Sequence, residues 1–227
     1  MTGFSIIIPV YNEEELIEKN LYALRNFLNA NKHKDYEIII ANNGSTDKTV
    51  EIVEKLSKKE PKIKLLSVEE RGVGLAFRKA VLASNYENII SVDMDLSTEL
   101  DFINKAIELF KDYDVIIGSK KELQKRHFLR RFLSAVFIIL VKLLLRLPYS
   151  DYSMAAKAYK KDAILSCINR IDSGSSYVIE IINFAHKNNK KLIEIPVACT
   201  DKRKSKFNIL AESFYRGKNL LKLLFGL

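Results

Sequence analysis

Five short β-branched runs separated by longer helical patterns fill the first half of the chain. That alternation restricts it to an α/β architecture with a mostly parallel sheet and right-handed crossovers. The runs are Phe4–Val10, Tyr36–Ala41, Ile63–Ser67, Asn88–Val92 and Asp114–Gly118. Each is nearly continuous in apolar residues, as a strand covered on both faces must be. Asn12, Ser45 or Thr46, and Thr98 are candidate N-caps, with acidic residues following where the helix dipole favours them. After Gly118 the rhythm changes to a basic segment, Lys120 to Arg131, a long apolar helix, and an extended stretch around Met154 to Tyr159. A helix from about Tyr177 to Asn188, a strand Lys191 to Val197, a basic loop Asp201 to Lys206 and an amphipathic helix through Leu224 complete the pattern.

A chain of 227 residues that is 48% hydrophobic can bury one substantial core, and no repeat or low-complexity linker divides it. One domain is expected. Thirty-seven Lys and Arg against 28 Asp and Glu give +9, which favours a polyanionic partner: an anionic membrane, a phosphorylated ligand or nucleic acid. Aromatic-basic interleaving and nucleic-acid motifs are missing, so nucleic acid is not the expected partner. Cys167 and Cys199 have no metal-ligand spacing, which argues against a disulfide framework or a zinc site and fits a cytoplasmic setting. No secretory signal is expected, since no basic n-region or small-residue cleavage site precedes Phe4. The most apolar stretch, Phe128 to Leu147, carries Arg130, Arg131, Lys142 and Arg146, and its uncharged core falls short of the roughly 20 residues a spanning helix needs.

In open parallel sheets, ligands bind beyond the carboxyl ends of the strands. The first run continues into Pro9-Val10-Tyr11-Asn12-Glu13 and the second into Asn42-Asn43-Gly44-Ser45-Thr46-Asp47. Both read either as capped turns or as a nucleotide cradle, where helix-start amides and small residues approach phosphate and Asp47 accepts from a base or ribose hydroxyl. The third loop, Glu70-Arg71-Gly72-Val73-Gly74, mimics part of a dinucleotide fingerprint, yet Phe77 replaces the third glycine and no acidic residue follows at the expected place. A nicotinamide enzyme is therefore not expected, and Arg71 stands as a candidate for a base or phosphate contact. Asp93 and Asp95 follow the fourth run side by side, where two anions repel unless a cation intervenes. Hard oxygen ligands suit Mg²⁺ or Mn²⁺ bridging to a diphosphate.

These motifs occur in a fixed order: Pro9-Val10-Tyr11-Asn12-Glu13, Asn43-Gly44-Ser45-Thr46-Asp47, Asp93-Met94-Asp95 and Ile117-Gly118-Ser119. So ordered, the chain resembles the dolichyl-phosphate mannose and glucose synthases over nearly its whole length. These are inverting GT-A glycosyltransferases of family 2 that move a sugar from a nucleotide donor (GDP-mannose or UDP-glucose type) to a polyprenyl phosphate. The resemblance implies a GT-A fold, Rossmann-like, with a mostly parallel sheet flanked by helices. Residues 1–119 would form the nucleotide-sugar-binding half, and 120–227 an acceptor half with amphipathic helices, within the same domain. It implies that Pro9, Tyr11, Glu13 and Asp47 border the nucleoside, that Asp93 contacts ribose or metal, and that Asp95 binds metal; Asn43, Arg71 and Gly72 are further candidates for the nucleotide-sugar site. The chain departs from the family's pattern at Asn42, where an aspartate is common, at Val73, where a lysine is, and at Ser97, where some relatives supply a ligating glutamine. Ser97 is thereby the candidate third ligand. Lys120 replaces an arginine, keeping charge without bidentate geometry.

On the acceptor side, the resemblance assigns the lipid phosphate to Lys120, Arg131 and Ser134, the diphosphate-closing loop to Arg203 and Lys206, and the transferred sugar's surroundings to Asp151 and Glu180. An anionic phosphate needs no general base, so Asp93, Asp95, Arg131, Asp151 and Glu180 would act by positioning and charge. Without the resemblance, Asp151 reads equally as a turn cap and Glu180 as a solvated helix face. The stretch after Asp151, Met154-Ala155-Ala156-Lys157, lacks the family's Gly-Phe-Arg or Gly-Phe-Lys element. Along Phe128 to Leu147, His127, Arg131, Ala135, Ile138, Lys142 and Arg146 share one line, while Phe128, Phe132, Val136, Phe137, Leu140 and Leu144 would reach an acyl boundary. The stretch Asn219 to Phe225 would add a second contact, and packing on the core or in a dimer is the alternative for both. A peripheral enzyme on the inner membrane face is the leading reading; a GT-A enzyme with a hydroxyl acceptor and a non-catalytic nucleic-acid module are the others.

Overall fold

The computed structural model describes residues 3–120, 128–200 and 209–225, with all their side chains except those of 128–131 and 209–213. Its strands are β1 (Phe4–Val10), β2 (Tyr36–Asn43), β3 (Ile63–Val68), β4 (Asn88–Ser91), β5 (Val115–Lys120), β6 (Lys157–Lys160) and β7 (Leu192–Val197). They form one sheet of order β3-β2-β1-β4-β6-β5-β7. Alternation along each strand explains the apolar runs. Ile6, Ile8, Ile38 and Ile40 face one core layer, while Ile7, Ile39 and Ala41 face the other.

Helices α1 (Ile17–Ala30), α2 (Thr49–Lys59) and α4 (Asp101–Leu109) cover the first face. Helices α3 (Val73–Ala83), α5 (Phe128–Leu145), α6 (Lys161–Leu165), α7 (Tyr177–Lys187) and α8 (Ile209–Phe225) cover the second. In α1, the buried residues Ile17, Leu21, Leu24 and Leu28 recur at helical spacing. Each stabilises the packed layer by about 1.5–3 kcal/mol of transfer free energy.

The expected α/β sheet is present, and the extended stretch expected around Met154 to Tyr159 supplies β6, whose place and direction in the sheet the sequence pattern does not announce. β6 enters between β4 and β5 and runs antiparallel to both. The other pairings are parallel. At four residues with a lysine at each end, β6 is too short to carry a readable period. Its direction places its first residue, Lys157, at the carboxyl edge, opposite Ser91 of β4 and Ile117 of β5.

The helix caps also differ from expectation. The residues before α1, α2 and α4 are Leu16, Lys48 and Leu100, and none makes a side-chain cap bond. The oxygens of Asn12, Ser45 and Thr46 are instead used between loops, and Thr98 forms an isolated bridge with Cys199. Both cysteines are free thiols, as expected.

Helix α5 lies against α8, and each leaves an apolar line exposed: Phe132, Val136, Ile139, Leu140 and Leu143 on one, Phe214, Leu221, Leu224 and Phe225 on the other. Three residues differ from the sequence reading. Phe137, Ile138 and Leu144 pack against the core, and Ile139 and Leu143 are outside in their place. Among the described residues, no helix is long and apolar enough to cross a membrane.

Candidate active site

The carboxyl ends of β1, β2 and β3 are tied together mostly by neutral hydrogen bonds, with the Glu14 and Asp47 carboxylates also accepting from amides. The Asn12 amide donates to Ser45 Oγ at 3.0 Å, and the Thr46 amide donates to Asn12 Oδ1 at 2.8 Å. The Glu13 amide donates to Thr49 Oγ1 at 2.8 Å, and the Lys48 amide to Glu14 Oε2 at 3.0 Å. Gly44 turns the second loop at φ 70°, a left-handed conformation that costs an L side chain energy. Asp47 accepts from the Thr49 and Glu14 amides at 3.0 and 3.2 Å. Burial alone would raise its carboxyl, but these bonds hold it below the ordinary value. Asp47 braces the two loops.

Asn43 is likewise engaged: its Oδ1 accepts from the Gly72 amide. Gly72 and Gly74 serve close packing. A Cβ on Gly74 would collide with the Asp172 carbonyl oxygen, and one on Gly72 would stand 2.8 Å from that of Ser173. The partial dinucleotide spacing therefore lets the 172–174 turn seat on the start of α3, where Ser173 O accepts from the Gly74 amide at 2.8 Å. Beside it, the Arg71 guanidinium lies over the Tyr11 ring at 4.1 Å, which joins the first and third loops through a cation–π contact. Pro9 is part-buried at the end of β1, next to Ala41 of β2.

Where β4 and β5 end and β6 begins, buried charge dominates. Asp93 and Asp95 project beyond β4, and the Asn20 side chain of α1 donates to the Met94 carbonyl between them at 2.9 Å. Burial, then the neighbouring Asp95 carboxylate, pushes the Asp93 carboxyl up to about 6, against the pull of the Ala155 amide, Lys157 and Lys120. Asp95 Oδ1 accepts from the Ser97 amide at 3.0 Å. Asp151 is buried and accepts from the Ser153 and Met154 amides, both at 2.9 Å. Burial opposes its ionisation, yet the charges of Lys157 and Lys120 and those amides hold its carboxyl below the ordinary value.

Among the described residues, no group of three or more His, Cys, Asp or Glu side chains is placed to hold a metal ion by itself. The donor set is thus two adjacent carboxylates. Such a pair fits Mg²⁺ or Mn²⁺, which take one or two protein carboxylates and complete their shells with phosphate oxygens and water.

Residues 5–166 match the family model described as Glycosyl transferase family 2. The chain belongs to this family, and it is a glycosyltransferase. A dolichyl-phosphate beta-glucosyltransferase of Dictyostelium discoideum is 28% identical over 97% of this chain and 73% of its own length. Glycosyltransferase AglD of Haloferax volcanii is 25% identical over 96% of this chain but only 36% of its own length. The fold is also that of glucosyl-3-phosphoglycerate synthase from Mycobacterium tuberculosis, solved with Mn²⁺, uridine diphosphate and glucosyl-3-phosphoglycerate. That match has a TM-score of 0.72 and 13% identity, covering 100% of this chain and 81% of the other. The expected GT-A architecture is therefore present.

Within this glycosyltransferase, the expected site residues fall into three groups. Asp93, Asp95, Lys120 and Asp151 come together, joined by Ser97 through its amide. Pro9, Tyr11, Glu13, Asn43, Asp47, Arg71 and Gly72 line the neighbouring loops. Glu180 lies apart in its interactions: it accepts from the Asp172 amide, and its charged neighbours are Asp172 and Lys222. Burial pushes Glu180 up to about 7, so it is not the solvated helix face of the simplest reading. Ser134 is exposed on α5. The side chain of Arg131 and the whole of Arg203 and Lys206 lie outside the described residues. Lys157 is the residue the sequence pattern passed over: it is fully buried in the middle of the charged group, and a lone cation in an apolar run was its only signal.

Proposed function

We propose that this glycosyltransferase moves a hexose from a nucleotide sugar to a polyprenyl phosphate, with Asp93 and Asp95 holding Mg²⁺ or Mn²⁺ against the donor diphosphate. The observation that carries the reading is the paired carboxylates at the carboxyl edge, in a chain aligned along 97% of its length with a dolichyl-phosphate beta-glucosyltransferase. A bound divalent cation would neutralise diphosphate charge and stabilise the departing nucleoside diphosphate. Tyr11 and Arg71 would border the base, and the braced loops around Asn12 and Asp47 would hold the nucleoside. Lys120 would face the acceptor phosphate, together with Arg131 and Ser134, and Arg203 and Lys206 would close on the donor.

Asp151 supports an acceptor that is already anionic. A carboxylate that accepts two amides on Oδ1 and is held low by two lysines is a weak proton acceptor, and a phosphate nucleophile needs none. The apolar lines of α5 and α8, with Lys142 exposed on the same pair of helices, fit a peripheral contact with an anionic membrane. The test is a donor panel of GDP-mannose, UDP-glucose and UDP-N-acetylglucosamine with Mn²⁺ and a short polyprenyl phosphate. Transfer should require both lipid phosphate and metal. Turnover with a soluble glycan, and none with any lipid phosphate, would sink the acceptor assignment.

A further inference from the structure

Among the described residues, Lys157 is the only Lys or Arg that is buried. Sealed from solvent, its side chain has only protein partners within reach. β6 holds it between Ser91, two residues before Asp93, and Ile117, one residue before Gly118. Its ammonium donates to the Gly118 carbonyl at 3.1 Å and the Met154 carbonyl at 3.0 Å, and it lies 3.7 Å from Asp151 Oδ1. Two hydrogen bonds use two of the three N–H donors of the lysine, and the Asp151 carboxylate supplies the opposing charge.

Those partners belong to two segments that meet through the β5–β6 pairing and one backbone bond, Gly118 amide to Ala156 carbonyl at 2.9 Å, and Lys157 adds a side-chain link to the earlier residues of the turn. Gly118 belongs to the end of β5, just before Lys120, while Asp151 and Met154 bound the turn that leads into β6. The residue after Met154 is Ala155, whose amide bonds to Asp93. A buried ammonium is expensive, and an apolar side chain of similar length would fill the place without that desolvation cost. Stability alone therefore gives a weak reason for a cation here.

We propose that Lys157 is a positioning residue: it clamps the 151–155 turn to the end of β5, so that the Ala155 amide aims the Asp93 carboxylate at the diphosphate. This rests on the reading of Asp93 and Asp95 as a metal-holding pair. Lys157→Met removes the clamp and keeps the bulk, whereas Lys157→Arg keeps the charge and the donors.

The readout is calorimetric binding of UDP and GDP with and without Mn²⁺, beside UMP and GMP without metal, to folded protein. In Lys157→Met the Mn²⁺-dependent gain in diphosphate affinity should fall about tenfold or more, the usual scale for losing a residue that orients a metal ligand. Monophosphate affinity should stay within about twofold of wild type, and Lys157→Arg should recover much of the loss. If Lys157→Met proves too unstable, the neutral pair Lys157→Met with Asp151→Asn keeps the turn's cap oxygen and should show the same selective loss. An unchanged Mn²⁺-dependent gain, or an equal fall in mono- and diphosphate affinity, would overturn the proposal. Wild-type protein that gains nothing from Mn²⁺ would overturn the metal reading itself, and this one with it.

Discussion

Where β1, β2 and β3 end, the chain is held mostly by neutral hydrogen bonds from backbone amides to Asn12, Asn43, Ser45 and Thr49, and the Glu14 and Asp47 carboxylates there are satisfied by amides. Where β4 and β5 end and β6 begins, it is held by buried charge: Asp93, Asp151 and Lys157, with Lys120 beside them. The first arrangement is stiff and electrostatically quiet, because each polar group has a local partner. In the second, the carboxylates of Asp93 and Asp95 oppose each other, and the edge is poised for a cation. A nucleoside is recognised by shape and hydrogen bonds, while a diphosphate and its metal are recognised by charge. The division matches what each end would bind.

Four experiments test that division. The largest effect is expected from Asp95→Ala, which should lower transfer by about a thousandfold, the scale of losing several kcal/mol of charge stabilisation. Steady-state kinetics across Mn²⁺ concentrations checks it, and a variant that keeps wild-type kcat would remove the charged end from catalysis. Next is Gly74→Ala on the neutral end, where the added methyl meets the Asp172 carbonyl. A loss of about 3 kcal/mol in denaturant unfolding is expected, at the upper end of overpacking. A change below about 0.5 kcal/mol would show that the 172–174 turn yields freely.

Smaller effects should follow from Glu180 and Asn12. The Glu180 carboxyl is raised from 4.5 to about 7, so the fold favours its protonated form. That contribution is fully present below about pH 4.5 and is lost as pH rises through about 7. Glu180→Gln should therefore match wild type near pH 5 and exceed it by about 1 kcal/mol near pH 8, after discounting for solvent screening. Equal stability at both ends of the range would place Glu180 in water. Last, Asn12→Ala removes the oxygen that receives the Thr46 amide. It should cost about 1 kcal/mol of stability and raise the donor KM a few-fold with little change in kcat. A large fall in kcat instead would mean that the neutral end takes part in the chemical step.

The sequence made much of this readable, for a definite reason. Strands buried on both faces must be continuous in apolar residues, so β1 to β5 and β7 show within about two residues of their ends, as at Tyr36 and Ile63. The carboxylates follow such a strand directly, which put Asp93 and Asp95 at the binding edge before any coordinates. Gly72 and Gly74 were legible as special positions but not in their purpose, since the turn that requires them lies about a hundred residues further on. Asn12, Ser45 and Thr46 looked like caps because the same oxygens that cap a helix also reach a neighbouring loop, and distance along the chain does not say which.

The sequence by itself determined the layered α/β architecture, the order of the motifs and the pairing of Asp93 with Asp95, because periodicity and strand ends are local properties. Only the tertiary structure decided that β6 turns antiparallel between β4 and β5, that the glycines receive a distant turn, and that Lys157 stands buried among the acidic residues. Those are matters of what is brought beside what. A charge acquires its meaning from its neighbours, and the neighbours of Lys157, at Gly118, Asp151 and Met154, are chosen by the fold.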